Sequence, residues 1–323
     1  MPKKLIYFQL FLRRPIILIS ESMNEFIKKQ KVLLLIKNIL IFLLIFICSC
    51  KEDEIITLNE TSDPQLVIFS EMTDRYENKV VYLSKTFTNF SSQKENTSVT
   101  GAEAYIYNKT DNIKLTERLN EKGAYYAPDD FIPEPDKIYT LLIKNLDINN
   151  DGIYETYTAK ETMGKTMKID MMGIFYDTSK NGWEICMSGN EPEKTTNYYL
   201  FKVYRNDTLI TKKITDYRIS KDEYYNGSEL KNVIVQFIDK DKGQIIRNQD
   251  KITLEVAGIT KGYYQFIHNI KKETDDDLSF FQGPSAQISG NINQISGDIS
   301  NNTPGYFSIM SVSRVSCIYL VDH

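Results

Sequence analysis

The sequence predicts a mainly all-β protein: an N-terminal immunoglobulin- or transthyretin-like sandwich, then a β-rich second domain with one helix. The composition favours strands, because the chain contains 21 Tyr and 16 Phe and many Ile, Val and Thr residues. Short apolar or alternating segments recur along the chain, and Asp, Asn, Gly and Pro residues separate them. About seven short strands at this spacing are typical of a sandwich.

Apolar periodicity predicts the strands of the first domain, which we place at residues 64–162. The run Ile138–Ile143, a polar turn at Asp147–Gly152 and a second run at Tyr154–Ala159 predict a hairpin. The strands predicted before this hairpin are Gln65–Ser70, Val80–Lys85 and Ala102–Asn108.

A break in the pattern around Met163 places the second domain at residues 163–323. Apolar residues that recur on one helical face predict a helix at Lys261–Glu273. The strands predicted here are Ile169–Tyr176, Trp183–Ser188, Asn197–Tyr204, Val233–Asp239, Lys251–Val256 and Tyr306–Val312. The other predicted segments are a loop at Asp275–Asp277, a turn at Gly283-Pro284 and an extended or looped stretch at Gln287–Asn302.

Residues 1–49 are typical of a signal peptide and are left out of the predicted fold. Several lysines between residues 28 and 37 form a basic region, and the apolar run Ile39–Ile47 follows it. This run is shorter than the about 20 apolar residues that a membrane-spanning helix needs. A permanent transmembrane anchor is the alternative, because Val32–Ile47 is apolar apart from two residues. Residues 1–22 precede a complete signal, so Met23 is an alternative start.

The stretch Ile47-Cys48-Ser49-Cys50 resembles a bacterial lipobox, in which an apolar residue and small residues precede the cysteine that becomes lipidated. The resemblance implies that Cys50 carries acyl chains, and each buried methylene adds roughly 0.8 kcal/mol of membrane affinity. Residues 50–63 then form a lipidated tether. The residues after the cysteine resemble the signal that exports Bacteroidota lipoproteins to the cell surface: Lys51, Glu52, Asp53 and Glu54. A plain solvated tether is the alternative.

The charge balance argues against nucleic acid as a partner. The chain has 39 basic and 43 acidic side chains. Residues 1–49 hold eight Lys or Arg and two Glu, so the rest has 31 basic and 41 acidic side chains and a net charge of −10. A body this acidic repels a phosphate backbone.

Two cysteines, Cys186 and Cys317, remain in the body after Cys50. They are candidates for a disulfide in an oxidising compartment, but their spacing does not decide whether they meet. The alternative is that both are small buried apolar residues.

The segment from Asp147 to Glu155 resembles the first half of a calcium loop. Asp147, Asn149 and Asp151 supply oxygen ligands at alternate positions, and Gly152 follows for the sharp turn. Thr158 stands where the bidentate glutamate of such a loop is expected. Asn-Asp-Gly between two strands is also what a hairpin turn requires, so we favour a plain turn and predict no cofactor other than the lipid.

Motifs for catalysis are weak, and we predict that the protein is not an enzyme. The chain has two histidines, His268 and His323, so a nucleophile–histidine arrangement would depend on His268. A structural role of His268 in the predicted helix is the simpler interpretation. Carboxylate pairs such as Asp129-Asp130 lie among prolines and indicate a solvated loop, although a pair distant in sequence remains an alternative.

Four pairs of adjacent tyrosines are the better functional lead. Neighbouring residues in a strand point to opposite faces, so one tyrosine of each pair is expected inside and the other outside. Exposed tyrosines suit a partner surface, and ordinary cross-strand packing is the alternative. The pairs are Tyr125-Tyr126, Tyr198-Tyr199, Tyr224-Tyr225 and Tyr263-Tyr264.

Several stretches of the body follow one another in a specific order and spacing. They are Leu66–Asp74, Val80–Thr86, Val99–Tyr107, Leu115–Glu117, Gly123–Tyr126, Lys137–Ile143, Gly283-Pro284, Gly290–Ile292 and Gly305–Phe307. In this order they resemble the Bacteroidota lipoprotein family called domain of unknown function 4249. The chain departs from the family at Phe69 and Ser70, where the family usually has a glycine.

The resemblance implies an N-terminal sandwich, a β-rich second domain and an accessory role beside a TonB-dependent receptor of the outer membrane. We therefore expect a non-enzymatic outer-membrane lipoprotein, lipid-anchored and exposed at the cell surface, that binds such a transporter. A free-standing structural or adhesive surface lipoprotein is the alternative. The family brings no known activity, so the ligand stays open.

Overall fold

The computed structural model describes residues 29–31, 33–37, 64–76, 79–86, 97–193, 195–274, 288–297 and 303–321. The chain divides into two compact units, Met1–Glu60 and Thr61–His323. Residues 29–31 and 33–37 of the first unit are helical and exposed. The predicted loop at Asp275–Asp277 and turn at Gly283-Pro284 lie outside the described residues.

The second unit is built mainly of strands, which confirms the predicted fold class. Its first part holds β1 (Leu66–Thr73), β2 (Val80–Lys85), β3 (Glu103–Tyr107), β4 (Asn112–Arg118), β5 (Glu121–Tyr126), β6 (Ile138–Leu146) and β7 (Glu155–Thr162). Its second part holds β8 (Lys168–Asp177), β9 (Gly182–Asn190), β10 (Tyr198–Arg205), β11 (Thr208–Leu209), a 3-10 helix (Ile214–Asp216), β12 (Arg218–Lys221), β13 (Glu229–Asp239) and β14 (Lys251–Ile259). The helix α1 (Lys261–Glu273) follows, and then β15 (Ile292–Ser296) and β16 (Gly305–Ile318).

One long sheet makes the N-terminal sandwich by turning a corner at β4. The sheet runs β11-β10-β14-β16-β1-β2-β5-β4-β3-β6-β7-β15. The first half of β4 pairs with β3 and its second half pairs with β5. A bulge between Glu117 and Arg118 lies in the β5 pairing, and such bulges allow a strand to pass from one layer to the other.

The sandwich core lies between these two layers. The alternation of β1 directs Leu66, Ile68 and Met72 inward. Side chains of β3, β6 and β7 fill the core from the opposite layer: Ala104, Ile106, Leu141, Ile143, Tyr157 and Ala159. The C-terminal strands complete this core with Ile292, Phe307 and Ile309. Strands from beyond residue 163 thus contribute to the core of the first predicted domain. The division into domains at residue 163 stays a prediction.

In the second part, β10, β14 and β16 form a middle layer that is covered on both sides. The three-stranded sheet β13-β9-β8 packs on one side, where Tyr199, Phe201 and Val203 of β10 face it. Helix α1 packs on the other side, against Leu200 of β10. Alternate residues of one strand thus serve two cores.

Helix α1 was predicted at the same residues and is confirmed. Tyr263, Phe266 and Ile267 recur at helical spacing and are buried against the sheet. Thr260 begins the helix as its N-cap, and its hydroxyl oxygen accepts a hydrogen bond from the Tyr263 amide.

Strand β1 pairs in parallel with β16, and glycines permit the close approach where this ladder begins. Ile68 is opposite Gly305, whose φ is +109°. A Cβ at Gly305 would lie 1.9 Å from the carbonyl oxygen of Ile68, and a Cβ at Gly290 would lie 1.7 Å from the carbonyl oxygen of Gly305. The side-chain amide of Asn291 donates to the carbonyl oxygen of Phe307 and accepts from the Phe307 backbone N–H. The motifs Gly290–Ile292 and Gly305–Phe307 therefore meet at this point.

We predict that Gly305→Ala destabilises the protein by about 3 kcal/mol or more, because the new Cβ needs both a left-handed backbone and space that the Ile68 carbonyl occupies. Gly101→Ala is the matched control, since Gly101 also has a positive φ (+79°) but open space around it. The control is expected to cost about 1 kcal/mol. Urea unfolding of the full-length protein, followed by the fluorescence of its single tryptophan, Trp183, measures both. Equal losses would contradict the steric account.

Candidate functional site

The residues predicted for lipidation and export, Cys50 and Lys51 to Glu54, lie outside the described residues, so these assignments stay predictions. Among the described helices, none is long and apolar enough to cross a membrane.

The calcium candidate forms the turn of the β6–β7 hairpin. The two carboxylate oxygens of Asp147 accept hydrogen bonds from the amides of Asp151 and Gly152, each at 3.0 Å. The carboxylate of Asp151 accepts from the amide of Ile153 and from the side chain of Asn149. Gly152 has a φ of +85°, as a sharp turn requires.

Glu155 lies beneath this turn and was not among the predicted ligands. Its carboxylate is buried and accepts from the Ile148 amide. Burial raises the pKa of Glu155, and the negative charges of Asp147 and Asp151 raise it further. Within the described part of the chain, no three His, Cys, Asp or Glu side chains are arranged to hold a metal ion.

The two body cysteines are free thiols. Cys186 is buried on β9 and Cys317 is half-buried on β16. Burial raises the pKa of both thiols, which keeps them protonated and weakly nucleophilic. His268 lies on the exposed face of α1, where its ring is stacked on that of Tyr264.

Of the four tyrosine pairs, Tyr198-Tyr199 lies in a strand and divides between its two faces as expected, whereas Tyr224-Tyr225 lies in a turn and Tyr263-Tyr264 in α1. Tyr199 is buried while Tyr198 is half-buried. Tyr224 is 93 % exposed while Tyr225 is half-buried. In the fourth pair both Tyr125 and Tyr126 are buried, so the expectation that one of them faces outward is not met there.

A buried ion pair beneath α1 is the most prominent polar feature that the sequence did not indicate. Lys202 of β10 donates to Glu71 of β1 at 2.7 Å, and their side chains are 8 % and 14 % exposed. The hydroxyls of Tyr217 and Tyr263 also donate to Glu71. The Lys202 ammonium lies 4.9 Å from the centre of the Tyr217 ring, a cation–π distance.

Burial alone would raise the pKa of Glu71, but the Lys202 ammonium and the three hydrogen bonds outweigh it and lower the pKa. Burial would likewise lower the pKa of Lys202, and the charge of Glu71 outweighs it and raises the pKa. Both groups are therefore ionised at neutral pH. A second pair, Arg314 with the buried Glu255 at 2.6 Å, lies on the same side of the middle layer. The first pair joins the sheet to the helix through Tyr263, whereas the second joins β14 to β16.

The outer face of the three-stranded sheet carries exposed apolar side chains on its two outer strands and the polar Glu184 and Ser188 on the central strand β9. We call outer face the residues Met171, Gly173, Phe175, Cys186, Ile234 and Phe237. Phe175 is 52 % exposed, Ile234 51 % and Met171 62 %. The opposite face of the same strands packs into the core. An antiparallel sheet with one solvated face normally carries polar residues there, so an exposed apolar face is typical of an interaction surface.

Comparison with known proteins gives one family. A family model described as "Domain of unknown function (DUF4249)" matches residues 52–316, which is more than half of the chain. A search of curated proteins finds no match. The matched range contains the Glu71–Lys202 pair, the outer face and the glycine contacts between Gly290, Gly305 and Ile68.

We predict that Lys202→Met costs about 3–5 kcal/mol, because it leaves the Glu71 carboxylate buried without its counter-ion. In this variant the pH dependence of the free energy of unfolding is expected to change sign. In the native protein the lowered pKa of Glu71 gives stability above the ordinary glutamate pKa, and this is lost as the pH falls through the lowered value. Without Lys202, burial raises that pKa, so stability is lost as the pH rises.

The matched control for this variant is Lys231→Met, which breaks the exposed Lys231–Glu229 pair at 3.0 Å and is expected to stay within about 0.5 kcal/mol of the native protein. Urea unfolding of both full-length variants between pH 4 and 8 measures the effects. A Lys202→Met loss no larger than that of the control would show that the pair is not structural.

For the β6–β7 turn, we expect millimolar calcium to leave the melting temperature of the full-length protein unchanged, because backbone and side-chain donors already occupy the carboxylates. A rise of several degrees with calcium but not with magnesium would assign a calcium site instead. Asp151→Asn is the control in that case, since it should abolish the rise.

Proposed function

The chain belongs to the family described as domain of unknown function 4249, and from this premise we propose that it is a non-enzymatic outer-membrane lipoprotein that binds a TonB-dependent transporter. The lipid on Cys50 anchors it, and residues 51–63 connect the anchor to the body at the cell surface. A tether of this length spans at most about 45 Å. The body therefore stays close to proteins of the same membrane.

The outer face supports the binding role, and it is the observation on which the proposal rests. Phe175 and Ile234 are large apolar side chains of different strands that present about half of their surface to solvent. On the strand between them, Cys186 is opposite Ile234, and Glu184 is opposite both Phe175 and Phe237, so the apolar side chains surround one charged residue. A few side chains that become fully buried at the centre of an interface supply most of its binding free energy. A membrane-embedded barrel is the partner that the tether keeps within reach.

The buried charged groups support a structural rather than a catalytic role. Glu71, Lys202 and Glu255 have strong electrostatic partners within the protein, and all three are largely shielded from solvent. A catalytic acid or base must reach its substrate, whereas these groups reach only other side chains of the described body.

A free-standing structural or adhesive lipoprotein is the second candidate. The same outer face would then contact another surface, and no barrel would accompany the protein. The two candidates differ in what a gentle extraction of the membrane recovers.

We predict that a mild-detergent pull-down of the tagged full-length protein from its native membranes recovers a TonB-dependent barrel in stoichiometric amount. The double variant Phe175→Asp/Ile234→Asp is expected to recover about tenfold less of that barrel or worse, because charge on the outer face opposes its burial. Leu119→Asp is the matched control, since Leu119 is 99 % exposed on the β4–β5 turn, and it should recover the barrel normally.

The anchor is tested in the same preparation with Cys50→Ala, which should leave the membrane fraction. Retention of this variant in the membrane would point to an uncleaved helix as the anchor. Recovery of the native protein without a barrel would favour the free-standing alternative.

A further inference from the structure

Two carboxyl groups are buried side by side between the end of β9 and the turn after β12. Asp222 is 0 % exposed and Glu191 is 4 % exposed. Asn197 bridges them, since its amide donates to Asp222 at 2.9 Å and its side chain donates to Glu191 at 2.8 Å. The pair thereby joins β9, the start of β10 and the turn formed by residues 222–228.

The hydrogen bonds of this pair leave one oxygen without a partner. Glu191 accepts from the Tyr199 hydroxyl at 2.8 Å, from Asn197 and from the Gly227 amide at 2.6 Å. Asp222 accepts through Oδ2, but its buried Oδ1 has no hydrogen-bond partner. A buried carboxylate oxygen without a donor is costly. A proton on Oδ1 would remove the cost, because the Glu191 carboxylate lies within hydrogen-bonding reach of Asp222.

Among the described residues, the titratable groups that face the pair are acidic or phenolic. Tyr199 faces it from β10 and Tyr225 from the turn, and the side chain of Glu193 lies against Gly227. The neighbouring Lys221 is paired with Glu223 at the surface, at 2.9 Å. Burial raises the pKa of Asp222, and the charge of Glu191 raises it further.

We propose that Asp222 and Glu191 share one proton, and that this proton holds the turn of residues 222–228 against β9 and β10 and releases it when the pair ionises fully. Two adjacent buried carboxylates repel each other, so the second ionisation weakens the contacts of Gly227 and Asn197. The turn carries the exposed Tyr224. Its Tyr225 lines a cavity of about 100 Å³ with Met187, Phe201 and Leu230. Release of the turn therefore opens this cavity. This response to pH does not depend on the proposed transporter partner.

The direction of the pH effect follows from the shared proton. The folded protein holds the proton at pH values where the unfolded chain has lost it, so the pair's contribution to stability is complete below the ordinary aspartate pKa. It is lost as the pH rises through the raised pKa of Asp222.

The test compares the native full-length protein with Asp222→Asn between pH 4 and 8. Asparagine keeps the shape and donates permanently to Glu191, so it mimics the protonated acid. Hydrogen exchange of the Gly227 amide, corrected for intrinsic exchange, is the local measurement. Native protection should fall with rising pH, about tenfold for each unit by which the pKa is raised, and Asp222→Asn should keep its protection across the range. Glu223→Gln is the matched control, since it removes an exposed carboxyl from the same turn and should follow the native protein.

Two results would overturn the proposal. One is a pH dependence of Gly227 exchange in Asp222→Asn equal to that of the native protein. The other needs no variant: carbon-13 NMR of the native protein would show the Asp222 carboxyl ionising at or below the ordinary aspartate pKa. The second measurement decides the question even where Asp222→Asn folds poorly.

Discussion

The parallel ladder between β1 and β16 is the constraint on which the rest of the fold depends. Ile68 to Thr73 pair with Gly305 to Met310, and β16 continues along β14 with its second half. Alternate side chains of β16 enter different cores: Phe307 and Ile309 the sandwich, and Tyr306 and Met310 the core under α1. A shift of one residue would exchange these side chains between the cores. The glycines at Gly305 and Gly290 fix the start of the ladder, so backbone contact sets the register that the side chains then need.

Glu71 lies on this same ladder and connects it to the helix, because Tyr263 of α1 donates a hydrogen bond to its carboxylate. Its neighbours on β1 fill the sandwich core, whereas Glu71 points to the opposite side and meets Lys202, Tyr217 and Tyr263. A buried ion pair is rarely the most stabilising arrangement for its volume, but removing one partner is costly. The pair therefore acts against alternative positions of α1, because a displaced helix would leave Glu71 short of a hydrogen-bond donor.

Sequence periodicity was sufficient to predict the fold class, most strands and α1. In the strands apolar and polar residues alternate, and in α1 apolar residues recur at helical spacing. Periodicity missed β4, in which Leu115 is the one fully buried side chain, and β5. It also missed the short strands β11 and β12. The family resemblance predicted the order of motifs but not that Gly290 and Gly305 would touch. The buried interactions of Glu71, Glu191 and Asp222 could not be predicted from the sequence, because each depends on partners that the topology brings from other strands. For the same reason the outer face could not be seen in the sequence, where Phe175 and Ile234 look like ordinary strand residues.

The pairing of β1 with β16 also determines when the newly synthesised chain can complete its fold. Ile68 is among the first residues of the body to be synthesised, and its partner Gly305 is among the last. At roughly 5–20 residues per second, β1 waits on the order of ten to fifty seconds for its partner strand. Throughout that interval one edge of β1 is unpaired and can associate with other strands. The nascent chain therefore stays incompletely folded until β16 has been synthesised, and this delay exposes the unpaired edge of β1 to chaperones.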